Sequence, residues 1–441
     1  MYFCMEDLAI YSGLDNFIMM IEGITSSLDA IQLEDHYGAH NYHPIPVVIS
    51  RGEGVFVWDV EGNRYYDFLS SYSALNQGHC HPEIVKALIE QSRKLTLTSR
   101  AFYNEVLGVY EKYITQYFGY DKVLPMNTGA EAVETAIKLC RKWAYEKKGI
   151  KNDEALIVVC KNNFHGRTTT IISFSSDPVA RNNFGPYTPG FLEIPYNDID
   201  ALRKVLDKES VAGFLVEPVQ GEAGVITPSD TYIAETFRLC KDKSVLFIAD
   251  EVQTGLARTG SLLAMCGNCT CEGDCERQTT YLKPDILILG KALSGGLYPV
   301  SAVLADNEIM EVFKPGQHGS TYGGNPLGSM VAIRALEVLR EEKLAQNARK
   351  LGNIFRNRMN KLIGKGGLVK MVRGRGLLNA IEINDSPDSD TAWQICLRLK
   401  ENGLLAKPTH GNIIRFAPPL VMTEEQLNEC CDIIERTIQA F

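Results

Sequence analysis

The sequence predicts an α/β protein built on a mostly parallel sheet with helices on both faces, followed by a smaller α+β unit. Short apolar runs at 155–159, 211–217, 245–249 and 285–289 recur between helical stretches, with turn residues behind them. That is the pattern of strands buried on both faces, and their alternation with helices from about 83 to 328 implies parallel pairing. Beyond about 329 the pattern changes. A long helical stretch through Val331, Leu336 and Leu339 precedes strand candidates at 379–383 and 412–416 and a last helix from Glu424.

Ahead of the sheet region, alternation of apolar and polar residues over 54–69 around Glu61-Gly62-Asn63 reads as a hairpin. Residues 1–36 form an acidic extension in which Leu14, Phe17, Ile18 and Ile21 have helical spacing, as a terminal helix packed on the body or on a partner subunit would. The expected organisation is therefore an extension at 1–36, an N-terminal segment at 37–82, a large unit at 83–328 and a small C-terminal unit at 329–441.

Of the 441 residues, 45% are hydrophobic and 22% charged, ordinary for a soluble globular chain. A net charge of -9 with no basic stripe offers nucleic acid no footing. No Lys or Arg precedes Arg51, so neither a secretory n-region nor an Arg-rich transit peptide is expected, and the run 17–21 is too short to span a bilayer. A cytoplasmic location is the expectation. Twelve cysteines spread over so long a chain do not form a disulfide scaffold, and most are expected to be reduced.

The chemistry begins with two strand ends. The run 245–249 ends in Asp250 and the run 285–290 ends in Lys291, so both polar residues reach the carboxyl edge of one sheet, where ligands bind. A lysine after a strand is most often a solvated loop residue. A lysine and an aspartate together at that edge meet a different need: one can form a Schiff base and the other can hold a pyridinium nitrogen protonated, as pyridoxal 5′-phosphate requires. Thr128, ahead of Gly129 and Ala130, is a plausible N-cap for a helix running to about Tyr145, whose exposed N–H groups would suit the cofactor phosphate.

The stretches Asp250-Glu251-Val252-Gln253-Thr254-Gly255, Arg258-Thr259-Gly260 and Gly290-Lys291-Ala292-Leu293-Ser294-Gly295-Gly296 resemble the signature of class III aminotransferases. The resemblance runs from about Tyr37 to the C-terminus. It implies the fold type I architecture of pyridoxal-phosphate-dependent transferases, with Lys291 and Asp250 catalytic and a phosphate loop at Thr128, Gly129 and Ala130. It also implies that Phe164 and His165 lie against the ring, that Glu217, Val252 and Gln253 lie near the cofactor, and that Ser320 and Thr321 reach the phosphate of a neighbouring subunit in a homodimer with shared sites.

Within the family, Tyr42 and Tyr72 look like the tyrosines of members that act on the δ-amine of ornithine, with Arg167 gripping the α-amino acid end. The resemblance pairs Glu222 with Arg415. The carboxylate would mask the guanidinium while the amine donor binds, then swing away to expose a planar bidentate match for the carboxylate of 2-oxoglutarate. His165 points the other way, because the ornithine branch has Trp there and the N-acetylornithine and 4-aminobutyrate branches have His. Those two branches are the alternatives, and a catalytically silent cofactor-binding or thiol-regulatory protein is the remaining one. Small amino and oxo acids are the expected partners, with neither membrane nor nucleic acid.

One stretch departs from the family, which usually has a shorter connection here. Cys266, Cys269, Cys271 and Cys275 place four thiols within ten residues. Zinc sites usually separate two ligand pairs by a longer finger, so ordinary or redox-active thiols, local disulfides and bound metal all stay open, and no metal is expected in the active site.

Overall fold

Side chains in each central strand alternate between two cores. The computed structural model describes residues 26–266, 282–364 and 366–441. Ile157 and Val159, Leu246 and Ile248, and Ile286 and Ile288 pack under the helix Gly129–Trp143, whose Ala132, Val133, Ala136 and Ile137 join the same cluster. Their neighbours Val158 and Cys160, Phe247 and Ala249, and Leu287 and Leu289 face the opposite side, in the larger core. This division follows from the two-residue period of a strand, and it explains why these runs are apolar throughout.

Seven strands form the main sheet, in the order Lys122–Met126, Ser301–Ala305, Ile286–Leu289, Leu246–Asp250, Val211–Val216, Leu156–Cys160, Phe191–Ile194. All neighbouring pairs are parallel except those of Ser301–Ala305, which runs antiparallel to both of its neighbours. The strands read from sequence are present to within a residue. Lys122–Met126 escapes a sequence reading because Pro125 sits inside it, and the strand tolerates proline because it lies at the sheet edge.

The expected hairpin forms from Phe56–Asp59 and Arg64–Asp67, with Gly62 at φ 87° and the Asp59 carboxylate accepting from the Asn63 N–H at 2.7 Å. The C-terminal unit is a four-stranded antiparallel sheet ordered Val369–Arg375, Leu378–Ile383, Ile413–Phe416, Lys407–His410. The long helical stretch before it is two helices, Pro326–Glu341 and Leu344–Met359, parted by Lys343 at φ 51°. The second is tied to the C-terminal loops through Asn347, which donates to the carbonyls of Leu420 and Met422.

Arg258, fully buried, joins three parts of the chain. It donates to Asn76 Oδ1, to the Leu377 carbonyl and to the Pro418 carbonyl. Burial pushes its pKa down to about 9.

Ser27–Tyr37 forms a helix with no buried residue, while Leu14, Phe17, Ile18 and Ile21 lie outside the described residues, as do Cys269, Cys271 and Cys275. Cys266 is buried, and the described Cys80, Cys140, Cys160, Cys240, Cys396, Cys430 and Cys431 carry free thiols. Among the described residues no helix is long and apolar enough to cross a membrane, and no cluster of metal ligands occurs.

Candidate active site

Four strand ends and one helix start meet at the carboxyl edge of the main sheet. Asp250 closes its strand, Glu217 follows Val216, and Lys291 follows Leu289 through Gly290. Phe164 and His165 arrive on the turn after Cys160, and Gly129 opens its helix after Met126. Together with Glu222, Val252 and Gln253 they line a cavity of about 200 Å³. A second cavity of about 320 Å³ shares Gly129 and Lys291 and extends past Thr128 toward Ser71 and Tyr298.

Lys291 is held at φ 45°, a strained backbone for a residue with a side chain and one that clusters at functional sites. Burial pushes its ammonium pKa down, opposed by the charge of Glu222. A lysine so placed is closer to the neutral, nucleophilic form than a surface lysine. Gly290 and Gly129 close around Val252. A Cβ on Gly129 would come within 3.0 Å of the Val252 side chain, and one on Gly290 within 3.2 Å.

Asp250 is fixed at both oxygens, Oδ1 accepting from the Val252 N–H at 3.0 Å and Oδ2 lying 2.6 Å from His165 Nδ1. Burial opposes a charge on His165, but the hydrogen bond and charge of Asp250 outweigh it and raise the imidazole pKa. Glu217 accepts from the N–H groups of Phe164 and Gly221. Burial pushes its pKa up to about 7, against the pull of His165.

Thr128 caps the helix at this edge reciprocally. Its Oγ1 accepts from the Glu131 N–H at 3.2 Å, while the Glu131 carboxylate takes the Thr128 N–H at 2.8 Å. Replacing Thr128 by Ala should cost about 1 kcal/mol of stability and lower the urea midpoint accordingly. An unchanged midpoint would show that the cap is dispensable.

Glu222 and Arg415 meet, Oε1 to Nη1, at 2.5 Å. Arg415 is 2% exposed and its guanidinium lies 5.0 Å from the Tyr72 ring centre. Burial would raise the Glu222 pKa, but Arg415 and Lys291 pull it down to about 2. Gln253 braces the pair, its Nε2 donating to Glu222 at 2.9 Å and to the Tyr72 carbonyl at 3.2 Å. Tyr72 itself sits in a left-handed turn. Ser70, Ser71, Tyr72 and Ser73 all have φ between 47° and 74°, and Asp67 accepts from the N–H groups of Leu69 and Ser70 at its entry.

Four consecutive non-glycine residues in that region are costly and carry no sequence signature. At the mouth, Arg167 lies 5.9 Å from the ring centres of both Tyr42 and Phe164, with Tyr42 60% exposed. Ser320 Oγ accepts from Asn127 Nδ2 at 2.8 Å, whereas Thr321 is exposed and lines neither cavity. Asn127, which holds the Ser320 loop, has no sequence signal of its own.

The description "Aminotransferase class-III" matches residues 37–438. The chain belongs to the class III aminotransferases. A curated relative, the mitochondrial ornithine aminotransferase of Drosophila melanogaster, is 60% identical over 405 residues, 92% of this chain and 90% of that one. Among solved structures, the ornithine aminotransferase of Toxoplasma gondii superposes with a TM-score of 0.90 at 46% identity, covering all of this chain and 98% of that one. An acetylornithine aminotransferase from Elizabethkingia anophelis superposes at 0.85 with 64% identity, covering 95% of this chain and all of that one. The enzyme is thus a class III aminotransferase of fold type I, and the strand-end site described above lies within the matched region.

Proposed function

We propose that this class III aminotransferase moves the δ-amino group of L-ornithine to 2-oxoglutarate with pyridoxal 5′-phosphate. The products are glutamate-5-semialdehyde, which cyclises to pyrroline-5-carboxylate, and glutamate. The observation that carries the reading is the Glu222–Arg415 pair beside Tyr72, within one cavity edge of Lys291. A buried guanidinium held by a carboxylate can serve two substrates of different charge, as a two-step transfer between a diamino acid and a diacid demands.

The residues suit the cofactor. Phe164 and Val252 line one cavity, Gly129 and Gly290 sit too close to Val252 to carry side chains, a capped helix start offers N–H groups to a phosphate, and Asp250 places a carboxyl group where a pyridinium nitrogen needs a partner. When bound, pyridoxal phosphate supplies an aldehyde for amines and a ring that takes up the electron pair released at the substrate carbon. Asp250, oriented by Val252 N–H and His165, would hold the ring nitrogen protonated. Lys291 Nζ would hold the aldehyde of the cofactor, and as a buried amine of lowered basicity it would serve as the base for the proton at the substrate δ-carbon. Tyr42 and Arg167 grip the α-amino acid end of ornithine, while Glu222 keeps Arg415 masked. In the second half, Glu222 moves off and Arg415 takes a carboxylate of 2-oxoglutarate.

The proposed assembly is a homodimer in which Ser320 and Thr321 reach the partner's phosphate. The proposed units remain 37–82, 83–328 and 329–441.

N-acetylornithine is the second reading, favoured by His165 and by the Elizabethkingia neighbour. The deciding measurement is the cofactor absorbance of the purified enzyme during addition of L-ornithine and then 2-oxoglutarate, with N-acetylornithine and 4-aminobutyrate in parallel. Ornithine should shift the spectrum and 2-oxoglutarate should restore it. A shift with N-acetylornithine and none with ornithine would replace the first reading by the second.

A further inference from the structure

His318 stands two residues before Ser320, outside both cavities, and its hydrogen bonds determine its protonation. Thr135 Oγ1 gives its one hydrogen to the Glu131 carbonyl at 2.7 Å, so toward His318 Nε2, 2.8 Å away, it can only accept. Lys138 Nζ lies 2.9 Å from Nδ1 and can only donate. Both bonds are satisfied by one species, the neutral imidazole with its hydrogen on Nε2. The ring is stacked on Phe313, with centres 5.2 Å apart and planes 19° from parallel.

Thr135 and Lys138 belong to the helix Gly129–Trp143, whose first turn faces the cavity beside Lys291. The loop that follows His318 is fastened to the entrance of the same helix by Asn127 and Ser320. We propose that neutral His318 is a positioning residue that locks the Ser320–Thr321 loop to the phosphate-side helix, so that one protomer's cofactor helix and the loop it lends to its partner form one rigid piece. The proposal rests on the shared-site dimer and adds that acid releases the lock. Protonation at Nδ1 would replace an acceptor by a donor facing an ammonium.

Lys138 is the charged group set against the ring. The Glu131 carboxylate is engaged by Asn127 and Thr128, Glu134 by Thr168, and Lys314 by the Glu311 carbonyl. Burial and Lys138 lower the His318 pKa below the ordinary 6.5. The unfolded chain therefore binds the proton more readily than the folded one. The lock is complete above pH 6.5 and weakens as pH falls below it.

The test measures the dissociation constant of pyridoxal phosphate, by absorbance, from pH 8 down to pH 5 in wild type, His318→Phe and Lys138→Met. The phenylalanine keeps the stack and loses both bonds, and Lys138 is exposed, so its substitution leaves the helix core intact. Wild-type affinity should be flat above pH 6.5 and fall below it. His318→Phe should bind about tenfold more weakly at pH 8, with that acid step removed. Lys138→Met should show the step at higher pH than wild type, since the cation opposing protonation is gone. A His318→Phe profile that overlays wild type, or a Lys138→Met step at the wild-type pH, would overturn the lock. Wild-type protein that takes up no pyridoxal phosphate would overturn the reading of the site as well.

Discussion

Replacing Lys291 by Ala should lower steady-state turnover by about a thousandfold or more while the protein remains folded. The size of the effect follows from the number of roles one atom holds. In the proposed reaction Nζ would both hold the cofactor aldehyde and serve as the base at the substrate carbon, so its loss would remove a nucleophile and a base together. Stability should not suffer in proportion, because burial disfavours the Lys291 ammonium in the folded state. Two measurements check this. Borohydride treatment of the wild-type holoenzyme should fix the cofactor mass on the peptide that contains Lys291, and the variant should show no such addition with an unchanged thermal midpoint. Turnover within tenfold of wild type would remove Lys291 from the chemistry.

For Arg415→Ala the expected result is selective. The 2-oxoglutarate half-reaction should lose at least about a hundredfold in kcat/KM, corresponding to the roughly 3 kcal/mol of a charge-assisted contact. The ornithine half should change by less than about tenfold. The mirror variant, Glu222→Ala, should behave differently, because it strands a guanidinium that is 2% exposed and should cost about 3–5 kcal/mol in stability.

The sign of the pH dependence also follows. Since the Glu222 pKa is pulled down to about 2, the pair's contribution is present above the ordinary carboxylate range and is lost only as pH falls through that range toward 2. The pair is therefore whole throughout the neutral range. Single-turnover rates for each half-reaction decide the matter, and equal loss in both halves for Arg415→Ala would refute the switch.

The parts of this site that could be read from sequence are those whose neighbours are close along the chain. Asp250 and Lys291 are legible because each follows a stretch of consecutive apolar residues, 245–249 and 286–289, as strands covered on both faces have. Thr128 is legible because a cap and its partner Glu131 are three residues apart. Glu222 and Arg415 are 193 residues apart, and only the family resemblance linked them before their contact was visible. The reversed direction of Ser301–Ala305 leaves no mark on a strand of five buried residues. The left-handed turn at Ser70–Ser73 is invisible for a related reason: no glycine announces it, and its support comes from Asp67 and from Gln253, 181 residues distant from Tyr72.

Arg258 has a consequence for how this molecule comes apart. Its acceptors are an amide oxygen and two backbone carbonyls from three separate regions, with no carboxylate among them. If any one region peels away, a buried guanidinium loses an acceptor and is left under-satisfied. Partial opening is thereby made expensive. The segments that carry Asn76, Arg258, Leu377 and Pro418 should melt in one concerted transition, so that a scan followed at tryptophans in different regions traces a single curve.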